Sequence, residues 1–233
     1  MDDHLSYKQF VDDNISLKSS ELEVGFLLRA LKKTNDQLIS ASKVSSRLAL
    51  DIFDVMDLRM LSGMMGEMFC YNLSKIYSYL KKNPNIDGYP DLCDVSSSLG
   101  KKLFEKSQSD EFIDFPYGGL EIKNTFGTKS SGVLMKDREQ RLSKINKKLV
   151  WKAHHQKTNY LLALHSDYLG RIPQIIAMFF ANNLTKDDWT SKQNPKKGST
   201  MTSFTQTKSS AYEKLKRGKL FHIDQQKYLD FLE

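Results

Sequence analysis

An α/β fold is predicted, with a central mixed sheet flanked by helices behind a helical N-terminal region, and three observations predict it. In residues 1–82 apolar side chains recur at steps of three and four, the period of a helix burying one stripe. After residue 83 short apolar runs bounded by glycine and proline replace that period. Further on, helical spacing alternates with such runs, the pattern of strands with helices packed on them. The 233 residues, 39% apolar and 27% charged, suffice for one domain with an ordinary core.

Ser20 followed by Glu23 fits a capping box that opens a helix through Leu27, Leu31 and Leu38. A second helix is expected from Ser45 to about Leu58. The clearest signal runs from Leu61 through Met64, Met65, Met68, Phe69, Leu73, Ile76 and Tyr77 to Leu80, and ends before the breaker Asn83-Pro84-Asn85. Strands are expected over Tyr89–Val95 and Gly119–Phe126, with residues 98–117 as an insertion holding a short helix near Leu99–Lys106. Leu142, Ile145 and Leu149 have helical spacing. Tyr160–Ser166 and Ile172–Phe180 are apolar almost throughout and read as buried strands. The polar stretch 190–210 reads as a loop or extended arm, and a last helix is expected from Asp224. The chain thus divides into a helical region (1–82), a sheet core (83–185) and a basic arm with a C-terminal helix (186–233), all in one domain.

The longest apolar run, Ile175–Ala181, is far short of the roughly 20 residues of a membrane span. Met-Asp-Asp-His lacks the basic and apolar regions of a secretory signal. Cys70 and Cys93 read as reduced thiols of a cytoplasmic protein. The net charge of +7 is concentrated: residues 123–157 hold 10 Lys/Arg against 2 Asp/Glu, and residues 186–219 hold 9 against 3. Such a field suits a polyanion, nucleic acid above all, although solvated basic faces have the same composition.

Gly119-Leu120-Glu121-Ile122-Lys123-Asn124-Thr125 is the segment that bears chemistry. In a strand Leu120 and Ile122 face a core while Glu121 and Lys123 share the other side. Taken alone that pair is an exposed ion pair or a reactive one. Upstream, Pro90 lacks a ladder donor, which sets Asp91 at the mouth of a strand. Carboxylates of Asp91 and Glu121 on neighbouring strands repel unless a cation lies between them. Mg²⁺, an oxygen-seeking ion, accepts two carboxylates and a backbone carbonyl, here that of Ile122. Lys123 then stands beside metal-bound water. Asp94 faces away from Asp91 and reads as structural, or as a substitute ligand.

Pro90-Asp91 followed by Glu121-Ile122-Lys123 resembles the active-site signature of the PD-(D/E)XK nuclease superfamily, whose best-known members are type II restriction endonucleases. The resemblance spans roughly residues 60–180. It implies a restriction-endonuclease-like core, hydrolysis of phosphodiester bonds in double-stranded DNA, Mg²⁺ at Asp91, Glu121 and Ile122, and Lys123 as the residue orienting water. The superfamily often has a further glutamate on a preceding helix, and Glu67 fits that place. A homodimer matching a palindrome, a prokaryotic cytoplasmic setting and a cognate DNA methyltransferase acting separately are also implied. A repair nickase, a junction resolvase and a DNA-binding protein without catalysis are the alternatives.

For DNA contact the sequence offers Asn124 and Thr125 beside Lys123, then His154, His155 and Gln156. The paired histidines lack a third ligand at suitable spacing, so DNA contact or loop packing is expected of them. The polar arm adds Lys192, Gln193, Asn194, Lys196, Lys197, Thr200, Thr202, Ser203 and Lys208, amides and cations suited to groove edges. The alternative is a Ser/Thr/Lys linker, with Lys214, Lys216, Arg217 and Lys219 as phosphate binders. His165, within an apolar run, reads as a core histidine.

Overall fold

The computed structural model describes residues 5–11, 13–127, 138, 140–141, 149–195 and 203–232. In chain order these form β1 (Tyr7–Gln9), β2 (Asn14–Ser16), β3 (Glu21–Glu23), α1 (Val24–Ser46), α2 (Leu58–Ile76), β4 (Leu80–Lys82), β5 (Leu92–Asp94) and α3 (Ser98–Lys106). Next come β6 (Gly119–Phe126), β7 (Lys152–Ala153), β8 (Leu161–Leu169), β9 (Ile172–Ala181), β10 (Thr205–Gln206), α4 (Ser209–Arg217), β11 (Lys219–Ile223) and α5 (Gln226–Leu232). Seven strands make a mixed sheet in the order β1-β11-β9-β8-β6-β5-β4. Within it β6 and β8 are parallel, and the other neighbours are antiparallel.

The alternation of side chains divides the core between the two faces of this sheet. Leu120, Ile122, Leu162 and Leu164 pack with Leu31 and Leu38 of α1 and Met65, Phe69 and Leu73 of α2. On the opposite face Leu161, Ala163, Ile176 and Phe179 pack with Trp151, Trp189, Leu215 of α4 and Tyr228 of α5. The result is an α/β protein whose large mixed sheet is flanked by helices. No helix among the described residues is long and apolar enough to cross a membrane.

Several local expectations yield to tertiary contacts. Residues 1–82 are not wholly helical, since β1 joins the main sheet beside β11 and β2 pairs with β3. The capping box at Ser20 does not form: α1 starts at Val24 without a side-chain cap, and Ser20 Oγ donates to Asp94 Oδ2 at 2.7 Å. No helix runs from Ser45 to Leu58. Ala49 adopts a positive φ of 54°, a short 3-10 turn covers Ile52–Asp54, and Asp57 caps α2 by accepting from Arg59 N and Met60 N at 2.8 and 2.9 Å. Leu80 belongs to a strand, not to the end of α2. Leu142 and Ile145, whose spacing is helical, lie outside the described residues. The arm beyond residue 186 is partly core: α4 buries Ala211 and Leu215, and β11 pairs with β9.

The β5–β6 junction leaves part of one strand edge open. These strands pair only through Leu92↔Leu120 and Cys93↔Gly119. Gly119 has φ 149°, and a Cβ there would lie 1.9 Å from the Leu92 carbonyl oxygen. Only glycine permits this approach. Gly119→Ala is expected to lose about 1–3 kcal/mol of stability as the strands shift apart, measured by urea unfolding.

Candidate functional site

Beyond Leu120 the edge of β6 is left open by β5, and Asp91 turns into that opening. Asp91 Oδ2 accepts from Ile122 N at 2.7 Å and from Lys123 Nζ at 3.2 Å. The backbone N–H of Asp91 donates to Glu121 Oε2 at 3.2 Å. Lys123 Nζ also meets Glu121 Oε1 at 2.9 Å. One ammonium therefore joins two carboxylates from adjoining segments. Leu120 and Ile122 pack into the helix-side core, so strand alternation carries Glu121 and Lys123 to the opposite face.

Burial, then the neighbouring Asp91 charge, pushes the Glu121 carboxyl up to about 7, against the pull of Lys123. For Lys123 burial acts downward, but Glu121 and Asp91 outweigh it and hold the ammonium above its ordinary range. Lys123 is thus a cation at neutral pH. Burial first, then Asp91 and Glu67, raises the thiol of Cys70, so this residue stays a neutral thiol.

No group of three or more His, Cys, Asp or Glu among the described residues converges as a cation site. The cluster offers two carboxylates and a carbonyl instead. In an extended residue the N–H and C=O leave the same edge, so the Ile122 carbonyl faces the edge on which its N–H meets Asp91. This all-oxygen set beside an incompletely compensated buried carboxylate fits a hard divalent cation. Glu67 lies on α2 at the same cleft, yet its ion pair is with Lys82, and both side chains are more than half exposed. Asp94 is buried, accepts from Ser20 Oγ and Ser96 N, and is structural.

The cleft over this cluster measures about 950 Å³. Arg59, Ser62 and Glu67 of α2 form one wall. Lys152, His154, Phe204 and Gln206 form the other. Asn124 and Thr125 line it too, but their polar atoms are engaged internally. Asn124 Oδ1 accepts from Ser166 Oγ at 2.7 Å, and Thr125 Oγ1 donates to the Val150 carbonyl at 3.0 Å.

The remaining expected DNA contacts scatter. His155 is half-buried with its ring edge-on to Tyr89, and burial lowers its pKa. Gln156 Nε2 donates to the Thr190 carbonyl at 2.9 Å. Ser203 Oγ donates to Asn194 Oδ1 at 2.8 Å, while Lys192, Gln193, Asn194 and Lys208 are exposed. Lys196, Lys197, Thr200 and Thr202 lie outside the described residues. Of the further basic residues, Lys214 is bound to the Asn183 carbonyl and Asp188, and Lys219 to the Leu232 carbonyl. Arg138, from the first basic block, is buried between Asp51 and Asp54 at 2.6 and 2.8 Å. Among the described residues, charge counting overestimates the cations open to a polyanion.

Sequence reasoning missed Phe204, and left Lys152 and Gln206 as undistinguished members of the first basic block and of the polar stretch 190–210. The alternation of buried Trp151 and Ala153 with exposed Lys152 and His154 was the available signal. No family model, curated protein or solved structure matches the chain.

Proposed function

We propose that this protein is a Mg²⁺-dependent endonuclease acting on double-stranded DNA, with a restriction-endonuclease-like core and two-fold dimers as its working form. The observation that carries this reading is the convergence of Asp91, Glu121 and Lys123 at the open edge of β6, with both carboxylates on one ammonium. Asp91, Glu121 and the Ile122 carbonyl would hold the ion. When bound, it would polarise the phosphodiester and lower the pKa of a bound water. Lys123 would orient that water and meet the charge gathering on phosphate oxygens. Glu67, freed from Lys82, would reach the same cleft directly or through water. Arg59 on the α2 wall would supply charge for the flanking phosphates.

The test is incubation of supercoiled plasmid with protein and Mg²⁺, with EDTA and Asp91→Ala as controls. Discrete linear fragments that vanish in both controls support a site-specific endonuclease. Nicking alone supports a single-strand enzyme of the same superfamily. Binding without cutting supports a second reading, a DNA-binding protein in which the 2.9 Å Glu121–Lys123 contact is only an ion pair.

Metal binding has its own readout. At tenfold Mg²⁺ over its dissociation constant the protein is expected to gain about 1.4 kcal/mol, or about 3–6 °C in melting temperature. Asp91→Ala is expected to remove that gain in a thermal-shift titration.

A further inference from the structure

We infer that the small ribbon formed by β7 and β10 is the base-reading element of this cleft, with Gln206, Lys152 and His154 as its specificity-determining residues. This rests on the endonuclease reading and assigns its sequence selectivity to a paired ribbon, whose second strand comes from the end of the polar stretch 190–210, and not to an open loop. Gln206 and Lys152 are register partners across the ribbon, which pairs antiparallel. Its inward positions, Trp151, Ala153 and Thr205, are each about 1% exposed, and the first two belong to the core on that side of the sheet. Its outward positions, Lys152, His154, Phe204 and Gln206, line the cleft that holds Asp91 and Lys123. The ribbon is thus an extension of the folded core whose polar face looks at the reacting cluster.

Three contacts make it rigid. Trp151 Nε1 donates to the Leu164 carbonyl of β8 at 2.8 Å. Thr205 Oγ1 donates to the Ala153 carbonyl at 3.1 Å. Gln206 N donates to Thr190 Oγ1 at 2.9 Å, which ties this strand to the segment before it. The readers are held as well. Lys152 Nζ stands 4.4 Å from the centroid of the Phe204 ring, a cation–π contact that keeps the ammonium on this face. His154 Nδ1 lies 3.1 Å from the Ser203 carbonyl. A carbonyl only accepts, so Nδ1 carries the proton and the neutral ring has its acceptor at Nε2.

A two-stranded ribbon fits the major groove of B-DNA, and these groups match base edges there. An amide such as Gln206 pairs in bidentate fashion with adenine, an ammonium with guanine O6 and N7, and an imidazole acceptor with an exocyclic amino group. The loop residues offer less, because the Gln156 and Asn194 side chains already have partners within the chain.

The test digests a random-sequence duplex library with Mg²⁺ and sequences the cut ends, for wild type, Gln206→Ala, Gln206→Glu and Lys152→Met, with Gln193→Ala as the loop control. Circular dichroism and melting temperature report folding, and anisotropy of a fluorescent duplex in Ca²⁺ reports binding. Gln206→Ala is expected to relax preference at one or two positions by about tenfold or more, and Gln206→Glu to shift it from adenine towards cytosine. Lys152→Met is expected to relax a guanine position, and Gln193→Ala to leave the pattern intact. Folded Gln206 and Lys152 variants with an unchanged cut pattern overturn the inference. So does uniformly weaker binding with unchanged preference, which makes the ribbon a phosphate clamp. If wild type neither binds nor cuts DNA, the endonuclease reading itself falls, a different result from either of these.

Discussion

Lys123→Ala is expected to lower Mg²⁺-dependent cleavage of duplex DNA by about 10²–10⁴-fold, as loss of a positioned proton donor or charge at a reacting centre does. The side chain stands 2.9 Å from Glu121 and 3.2 Å from Asp91, and its ammonium is held charged by both. Removing it deletes the cation beside the reacting phosphate but leaves the three oxygens of the ion site in place. Mg²⁺ is therefore expected to bind at least as well, because the competing ammonium is gone. Duplex binding is expected to change little, since Arg59 and Lys152 remain on the walls. Single-turnover nicking of supercoiled plasmid, with duplex anisotropy and a Mg²⁺ thermal-shift titration alongside, checks all three points. Wild-type nicking by the variant would assign Lys123 to structure alone.

Acid is expected to destabilise the protein through His165. This residue lies in β8 with no exposed surface, and neither ring nitrogen makes a well-formed hydrogen bond among the described residues. Burial lowers its pKa to about 4, against the smaller opposing pull of Asp167 and a backbone contact at Thr125. The unfolded chain takes up the proton near pH 6.5, and the folded chain only near 4. Stability is therefore undiminished above pH 6.5 and lost as pH falls from there towards 4. The loss attributable to this group is about 3 kcal/mol, at 1.36 kcal/mol per pH unit. Other carboxylates titrate in the same window, so the measurement is a difference. The gap in urea-unfolding free energy between about pH 7.5 and about pH 4.5 is expected to shrink by about that amount in His165→Leu. An equal gap in both proteins would show that the imidazole is protonated while folded.

Much of the candidate centre was legible in the residues alone. Strand alternation over Gly119–Phe126 sent Leu120 and Ile122 one way and Glu121 and Lys123 the other, and the strand has those bounds. The lack of a ladder donor at Pro90 put Asp91 just ahead of a strand, and β5 starts at Leu92. The apolar stripe of α2 was clear because its face is buried along most of the helix. Less legible were the caps and short strands, where single polar residues decide. Ser20 had a helix-capping signature, but a buried carboxylate on Asp94 took its hydroxyl.

Periodicity in this chain determined which side chains go inward and which outward, because a helix or strand repeats its faces within a few residues. It also determined that an acid and a lysine share one face, ahead of any knowledge of what faces them. Only the tertiary structure decided who meets whom. The approach of Asp91 to Glu121 depends on a two-pair register across Gly119, and the second cleft wall depends on residues 152–153 finding 205–206. Such pairings join segments separated by roughly thirty to fifty positions. The ribbon is held by Trp151 and Ala153 packing in one core and the β5–β6 register by Leu92 and Leu120 packing in the other, properties of the whole fold that no local spacing encodes.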